Sequence, residues 1–507
     1  MSKQFNKKTS NLVKWMVTLA VISVIIFLLV YKKAVSNLNE KTIAVLPFAN
    51  ETGDSANAYF CDGITDAITA ELNRISDLQV SSRTTATYAF KQQGKNIRKA
   101  GAELHVGSIL LGRVQQSGNR LNMDVKLVDL YSGKTIWSNV YDRDIKELFS
   151  VQSEMAASVA EQLNATLTDE EKKNLSKRPT QSLEAYDQYM QGRNYYGFWK
   201  DSTLRLAINY FNQAIKLDPL FSKAYSGLAD SYSALGYISY ELPSNAFLNA
   251  EAAALKALEL DSTLAEPHTS LGYIRFYYYW DWEGAELEFR KALQMNPRYG
   301  LAYDAYGYYL TARERFPEAK MAMDKAVQLD PLSPQINTDN GFTLFYMHDY
   351  DQAIQVLKNA LVLEPKSALA HVWLGRAYQE KKMYTEAVAE YEKTLNGIKD
   401  WPVALAAIGY VYGITGQRGD AEKILTRLKE LEATRYVTPY GIALVCASLN
   451  DMDKTFEYLG KAFEERSNML VWLKQDPRWG LIKNDPRYQI LVAKVGLLKK
   501  NPAYRPQ

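Results

Sequence analysis

Cysteine is nearly absent from this sequence. Only Cys61 and Cys446 occur in 507 residues, which excludes a disulfide framework and leaves no paired spacing for a zinc site. Cys61 shares a helical stripe with Ile64, Ile68 and Leu72, so burial as a small hydrophobe is its expected role. Histidine is almost as scarce. None of His105, His268, His348 and His371 has a cysteine or second histidine at metal-ligand spacing, and no metal is expected. No run of five or more Lys/Arg occurs and the formal net charge is only +3, so the electrostatic footprint of a nucleic-acid binder is missing. Neither GxSxG nor GxGxxG is present, which removes the nucleophile elbow and the dinucleotide fingerprint.

One phosphate-binding candidate survives that sieve: Gly133-Lys134-Thr135, the ending of a P-loop. A P-loop needs another glycine five residues earlier, where this chain has Val128. It also needs a strand before the loop and a helix after it, so that helix N-terminal amides face the phosphates. Here "RLNMDVKLVDL" precedes and "KTIWSNVYDR" follows, both strand-like. The reading is a hairpin turn, with no nucleotide expected. Paired carboxylates such as Glu170-Glu171 lie in polar surroundings where a solvated face explains them. His268 and His371 fall where the repeats described below pack an aromatic, and structural filling is their expected role. No catalytic residue and no cofactor are expected.

What the sequence does contain begins with folded-protein composition, 47% hydrophobic and 23% charged, with 35 tyrosines. From Leu12 to Tyr31, "LVKWMVTLAVISVIIFLLVY" carries one charge in 20 residues, enough at ~1.5 Å per residue to cross a bilayer core. A cleavable signal peptide with "AVS" at 34–36 is the competing reading. The 17 uncharged residues after Lys14 exceed a secretory apolar core, which favours an uncleaved signal anchor. Lys3, Lys7, Lys8 and Lys14 tip the orientation toward a cytoplasmic tail over 1–11, with the remainder outside the cytoplasm.

Residues 42–165 alternate short strands and amphipathic helices. "TIAVLPF" and "LQVSSR" read as buried strands, with "AYFCDGITDAITAELNRI" and "NIRKAGAEL" as helices. Three longer strands follow, separated by Gly118 and Gly133; Leu121, Met123, Val125 and Leu127 alternate on one face of the middle one. The motifs "IAVLPFAN", "DGITDAITAEL", the three-stranded meander and "LFSVQSEMAASVAEQL" occur in order. Together they resemble the TolB amino-terminal-like domain of bacterial envelope proteins that also carry tetratricopeptide repeats. The resemblance implies an extracytoplasmic domain behind a membrane helix, without catalytic residues. Relatives often place a winged-helix domain, a nucleotide cyclase or a kinase before that helix. The tail of about 11 residues here departs from that plan, so no output function carries over.

Residues 166–182, "TLTDEEKKNLSKRPTQS", read as a linker. Beyond it the chain repeats. "AIKLDP", "ALELDS", "ALQMNP", "AVQLDP" and "ALVLEP" end at 219, 262, 297, 331 and 365, spacings of 43, 35, 34 and 34. A 34-residue period with small and aromatic positions is the tetratricopeptide signature. Eight repeats are expected over 183–469, with capping helices over 470–507. The fold class is therefore α+β: a transmembrane helix, a small TolB-like α/β domain, and an all-α solenoid.

In the tetratricopeptide family, helix-A positions 2, 5, 9, 12 and 13 line a peptide groove. Carried onto this chain, position 9 is Tyr273, Tyr308, Phe342 and Tyr410, position 12 is Phe276 and Phe345, and position 13 is Tyr277 and Tyr346. With the core positions already filled, this row is expected to be exposed and to bind. The functional expectation is a non-catalytic scaffold in the bacterial inner membrane, holding a protein or peptide partner in the groove and the membrane through one helix. The alternative is a sensory module that relays to a separate cytoplasmic protein.

Overall fold

A computed structural model describes residues 41–51 and 58–498. The expected tail and membrane span at 1–31, and the last part of the expected cap, lie outside the described residues. Among those described, no helix is long and apolar enough to cross a membrane. The chain divides into two compact units, one ending at Ser176 and the other running from Lys177 and also taking in Ala56–Gly63.

The first unit is a mixed sheet with strand order β3-β1-β4-β5-β6. Here β1 is Thr42–Val45, β2 Ala49–Asn50, β3 Gln79–Val80, β4 Ser108–Ser117, β5 Arg120–Asp129 and β6 Thr135–Asp144. Strand β1 runs parallel to β3 and to β4, while β4, β5 and β6 form an antiparallel meander. Parallel neighbours need crossovers, and helices supply them: α1 (Ala58–Asn73), α2 (Arg83–Gln92) and α3 (Ile97–Leu104). Helix α2 is missing from the sequence reading, because "RTTATYAFKQ" mixes β-branched residues with weak periodicity. Its start is fixed by Ser82, whose side chain accepts from the Thr85 amide. The alternation read in β5 holds, with Leu121, Met123, Val125 and Leu127 all fully buried.

Gly133 sits in the β5–β6 turn at φ +69°. Its amide donates to the Asp129 carbonyl at 2.9 Å, and the Asp129 amide donates to the Lys134 carbonyl at 3.0 Å. Gly-Lys-Thr therefore joins two antiparallel strands, as its context required.

The stretch expected as a linker carries a seven-residue helix, Asp169–Leu175. Thr168 and Glu171 form a reciprocal capping box at its start. Glu171 also accepts from the Ser76 amide at 2.7 Å, which ties this stretch to the first unit.

The second unit holds eight consecutive helix pairs, A then B. The A helices used below are α8 (Ser222–Tyr237), α10 (Glu266–Ile274), α12 (Gly300–Ala312), α14 (Pro334–Tyr346), α16 (Ala368–Glu380), α18 (Pro402–Ile414) and α20 (Pro439–Ser448). From α10 to α18 their starts fall 34 residues apart. Small residues let each A helix approach its B partner: a Cβ on Gly272 would meet Phe289 at 2.5 Å, and one on Gly375 would meet Tyr391 at 2.5 Å. The 35-residue spacing has a local cause. After α10 the helix widens into a π-turn over Arg275–Tyr279, which absorbs one extra residue without shifting the next pair.

His268 and His371 are structural, each at the same place in its repeat. His268 Nδ1 lies 2.6 Å from Glu288 and His371 Nδ1 lies 2.5 Å from Glu390. Burial pushes these two carboxyls up, but hydrogen bonds from the histidines and from Lys291 and Lys393 hold them below the usual range.

Candidate binding site: the inner face of the A helices

The expected aromatic row does converge on one face, but it is not exposed. Phe276, Tyr277, Tyr308, Phe342, Phe345 and Tyr346 are at most 1% accessible, and Tyr410 is also buried. Tyr273 is half-buried. Phe276, Tyr308, Phe342, Tyr346 and Tyr410 are covered by a later segment of the chain itself.

Residues 468–497 pack on the last repeat, where Arg487 lies over the Phe456 ring and Lys494 over Phe463, and they also reach back to earlier repeats. They form two 3-10 turns, Asn468–Trp472 and Pro477–Leu481, and one helix, Pro486–Lys494, laid along the inner face. Trp472 is the centre of this arrangement. Its ring stacks on Tyr346 at 4.5 Å and meets Phe342 at 4.8 Å, Phe276 at 6.0 Å and Tyr308 at 6.3 Å. Four aromatic positions from three different repeats thus share one indole.

Polar contacts extend the seam. Asn468 donates to the Tyr237 carbonyl and Gln475 to the Ala312 carbonyl, each at 2.6 Å. Trp282 Nε1 donates to the Val495 carbonyl at 3.0 Å, and the Tyr410 hydroxyl to the Arg478 carbonyl at 3.2 Å. These bonds satisfy helix-end and turn groups that the solenoid would otherwise bury without partners.

The segment also brings a buried ion pair. Arg478 and Asp476 meet at 2.6 Å, with side chains 2% and 0% accessible. The Tyr440 hydroxyl donates to Asp476 and itself accepts from Trp479 Nε1. Burial would raise the Asp476 carboxyl, yet the Arg478 charge and these bonds hold it below the ordinary carboxylate range. The Asp-Pro pairs do act as caps: Asp476 accepts from the Arg478 amide and Asp485 from the Arg487 amide. The first starts a buried 3-10 turn and the second starts the helix Pro486–Lys494.

Toward the first repeats the same face stays open. A cavity of about 490 Å³ counted to its mouth is walled by Tyr196, Trp199, Tyr237, Tyr273 and Tyr299. At its base sit Asp230, Thr269, Ser270 and Asp304. Asp230 accepts from Ser270 at 2.8 Å and pairs with Arg193 at 3.3 Å. Burial raises its carboxyl to about 6 despite that partner. Asp304 is fully buried, and no protein N–H or hydroxyl reaches either of its oxygens. Its carboxyl lies against that of Asp339, which also takes hydrogen bonds from Tyr308 and Gln335. Burial and this like-charged neighbour push Asp304 well above the usual range, and burial pushes Asp339 up to about 6. Two buried carboxyls in contact titrate as a pair.

Sequence reasoning did not reach this cavity. The signal was available: Thr269 and Asp304 both occupy helix-A position 5, a groove-facing position. Beside the large aromatic residues at positions 9, 12 and 13, a threonine and an aspartate at position 5 carry little sequence signal of their own.

Residues 344–409 match the tetratricopeptide repeat family. The helix pairs within that span are tetratricopeptide repeats. The chain is 31% identical over 188 residues to "Putative adenylate cyclase 3" of Rhizobium meliloti (strain 1021), a match covering 37% of this chain and 32% of that protein. It is 24% identical over 194 residues to "Tetratricopeptide repeat protein 6" of Homo sapiens, covering 37% and 35%. It is 22% identical over 315 residues to "Transcriptional regulator HilA" of Salmonella typhimurium, covering 60% and 53%. The chain spans about a third of the length of the first two relatives. Among solved structures it resembles the APC/C hetero-tetramer Cut9-Hcn1, at 14% identity and a TM-score of 0.44, with 70% of this chain and 64% of that one covered. It also resembles pilF of Pseudomonas aeruginosa, at 23% identity and a TM-score of 0.31, with 41% and 92% covered.

Proposed function

We propose that this protein is a membrane-anchored, non-catalytic scaffold whose tetratricopeptide groove holds a protein or peptide partner. One observation carries the reading: the inner face already holds a length of polypeptide, residues 468–497, through an aromatic anchor and main-chain hydrogen bonds. A surface that binds its own chain this way has the chemistry of a polypeptide receptor, and its open end remains for a partner. The span at 12–31 and the TolB-like motifs of 42–165 support placement in a bacterial inner membrane, with the folded units outside the cytoplasm.

The test is crosslinking in intact cells from a photoreactive side chain at Trp199, beside the open cavity. Repeated capture of one protein species, lost when excess purified repeat unit competes, supports the scaffold. Capture indistinguishable from a probe placed on the exposed Met321 sinks it.

A second reading is a sensory module that relays through the anchor to a separate protein. It is favoured by the 188-residue match to a longer protein that carries a cyclase name. Capture of a partner with its own cytoplasmic domain would favour the relay.

A further inference from the structure

We infer that the open cavity at the base of Tyr237 is a receptor for an organic cation, a primary ammonium or guanidinium group seated on Asp304 within an aromatic wall. This rests on the groove reading only for the source of that cation, which is a side chain of a bound polypeptide or a free amine.

The chemistry of the lining selects the ligand. No protein N–H or hydroxyl reaches Asp304, whose one polar neighbour is the Asp339 carboxyl; the hydroxyls of Ser233 and Thr269 are unpartnered, and all three residues are more than nine-tenths buried. Buried polar atoms in a folded protein almost always have partners, so three such groups around one space point to a polar ligand, and the acidic pair selects a cationic one. Five aromatic side chains line the wall, and a ring face presented to a cation attracts it by about 0.5–2 kcal/mol when water is displaced. A hydrated metal ion fits this lining poorly, because hard cations need several oxygen ligands. Among the described residues no group of three His, Cys, Asp or Glu could hold one.

The charged groups around the space are few. Arg193 already answers Asp230, and Glu266 adds a further negative field beside Asp230 and Tyr299. The Asp304–Asp339 pair is the part left without a cation. Burial biases both carboxyls toward the protonated form, and an ammonium seated on Asp304 favours the ionised form, so binding releases a proton to the buffer. The charge balances: one cation enters and one proton leaves.

The experiment is titration calorimetry on the full chain in detergent at neutral pH, in two buffers of different ionisation enthalpy. The probes are n-butylamine, butylguanidine, and an end-blocked peptide with a single lysine; butanol and sodium chloride are the controls. Binding of at least one cationic probe is expected, with proton release revealed by the buffer dependence. Peptide and free amine then compare the two sources directly. Asp304→Asn should weaken binding by about tenfold or more and abolish the proton release, while its melting temperature holds or rises because a buried ionisable group is gone. Trp199→Leu, at the accessible wall, should weaken binding by about threefold to tenfold and serves if the Asn variant misfolds. No cationic probe binding up to roughly 10 mM, weaker than any useful affinity, overturns the inference. So does binding that folded Asp304→Asn leaves unchanged. A chamber that binds no amine while cells still yield a crosslinked partner discards this inference and keeps the scaffold.

Discussion

The indole of Trp472 lies parallel to the ring of Tyr346, 19° from coplanar and 4.5 Å away. The two residues are far apart in sequence, one in a repeat and the other beyond the last repeat. Their contact turns an expected binding surface into interior. Trp472→Ala should therefore cost about 3–5 kcal/mol of stability, the usual range for emptying an aromatic core site. Chemical denaturation checks this. A loss below about 1 kcal/mol, within the range of a surface change, would mean the segment lifts off freely.

The double substitution Tyr277→Ala and Tyr346→Ala follows the same logic. Both rings are fully buried, so the variant should melt many degrees lower rather than merely bind less. A normal melting curve with lost partner capture would restore the exposed-row expectation.

The Asp476–Arg478 pair gives a pH prediction. Asp476 is held below its ordinary range, so its contribution is present above the unfolded-state value of about 3.9 and is lost as pH falls through the depressed folded value. Arg478→Met leaves a buried carboxylate unpaired and should cost about 3–5 kcal/mol at neutral pH. At pH ~3 the gap between the two proteins should narrow, because Asp476 without Arg478 accepts a proton more readily. Urea unfolding at both pH values checks it; a constant gap contradicts the assignment.

Asp339 has the opposite sign. Its folded value is raised to about 6, so its stabilising effect is complete below the unfolded value of about 3.9 and disappears as pH rises through 6. Asp339→Asn should gain on the unsubstituted protein between pH 4 and 7, with most of the gain by pH 6. Parallel melting curves across that range would show that the carboxyl pair does not titrate there.

At the β5–β6 turn, Lys134→Ala should leave the melting temperature unchanged, as expected of an exposed hairpin lysine. Gly133→Val should lower it clearly. At φ +69° a β-branched residue is strained, and a Cβ there would meet the Arg98 side chain at 2.0 Å. Thermal melts of both variants separate a turn from a phosphate loop, since a phosphate loop would make the lysine the sensitive position.

The sequence by itself determined whatever depends on near neighbours. Residue alternation placed Leu121, Met123, Val125 and Leu127 inward, because side chains on a strand face opposite sides with period two. The 34-residue period located the helix pairs, since each repeat fits a common neighbour through the same small and large positions. Gly133 was legible as a turn from the strands on either side. Only the tertiary structure decided what covers the aromatic row. The repeat pattern shows which face the rings of Phe342 and Tyr346 occupy, but not what lies opposite. That depends on where residues 468–497 travel after the pattern ends, and no local periodicity encodes a contact between Asn468 and Tyr237. The Asp304–Asp339 pair was hidden for the same reason: each carboxylate looks ordinary on its own helix, and becomes unusual only where two helices bury both in one space.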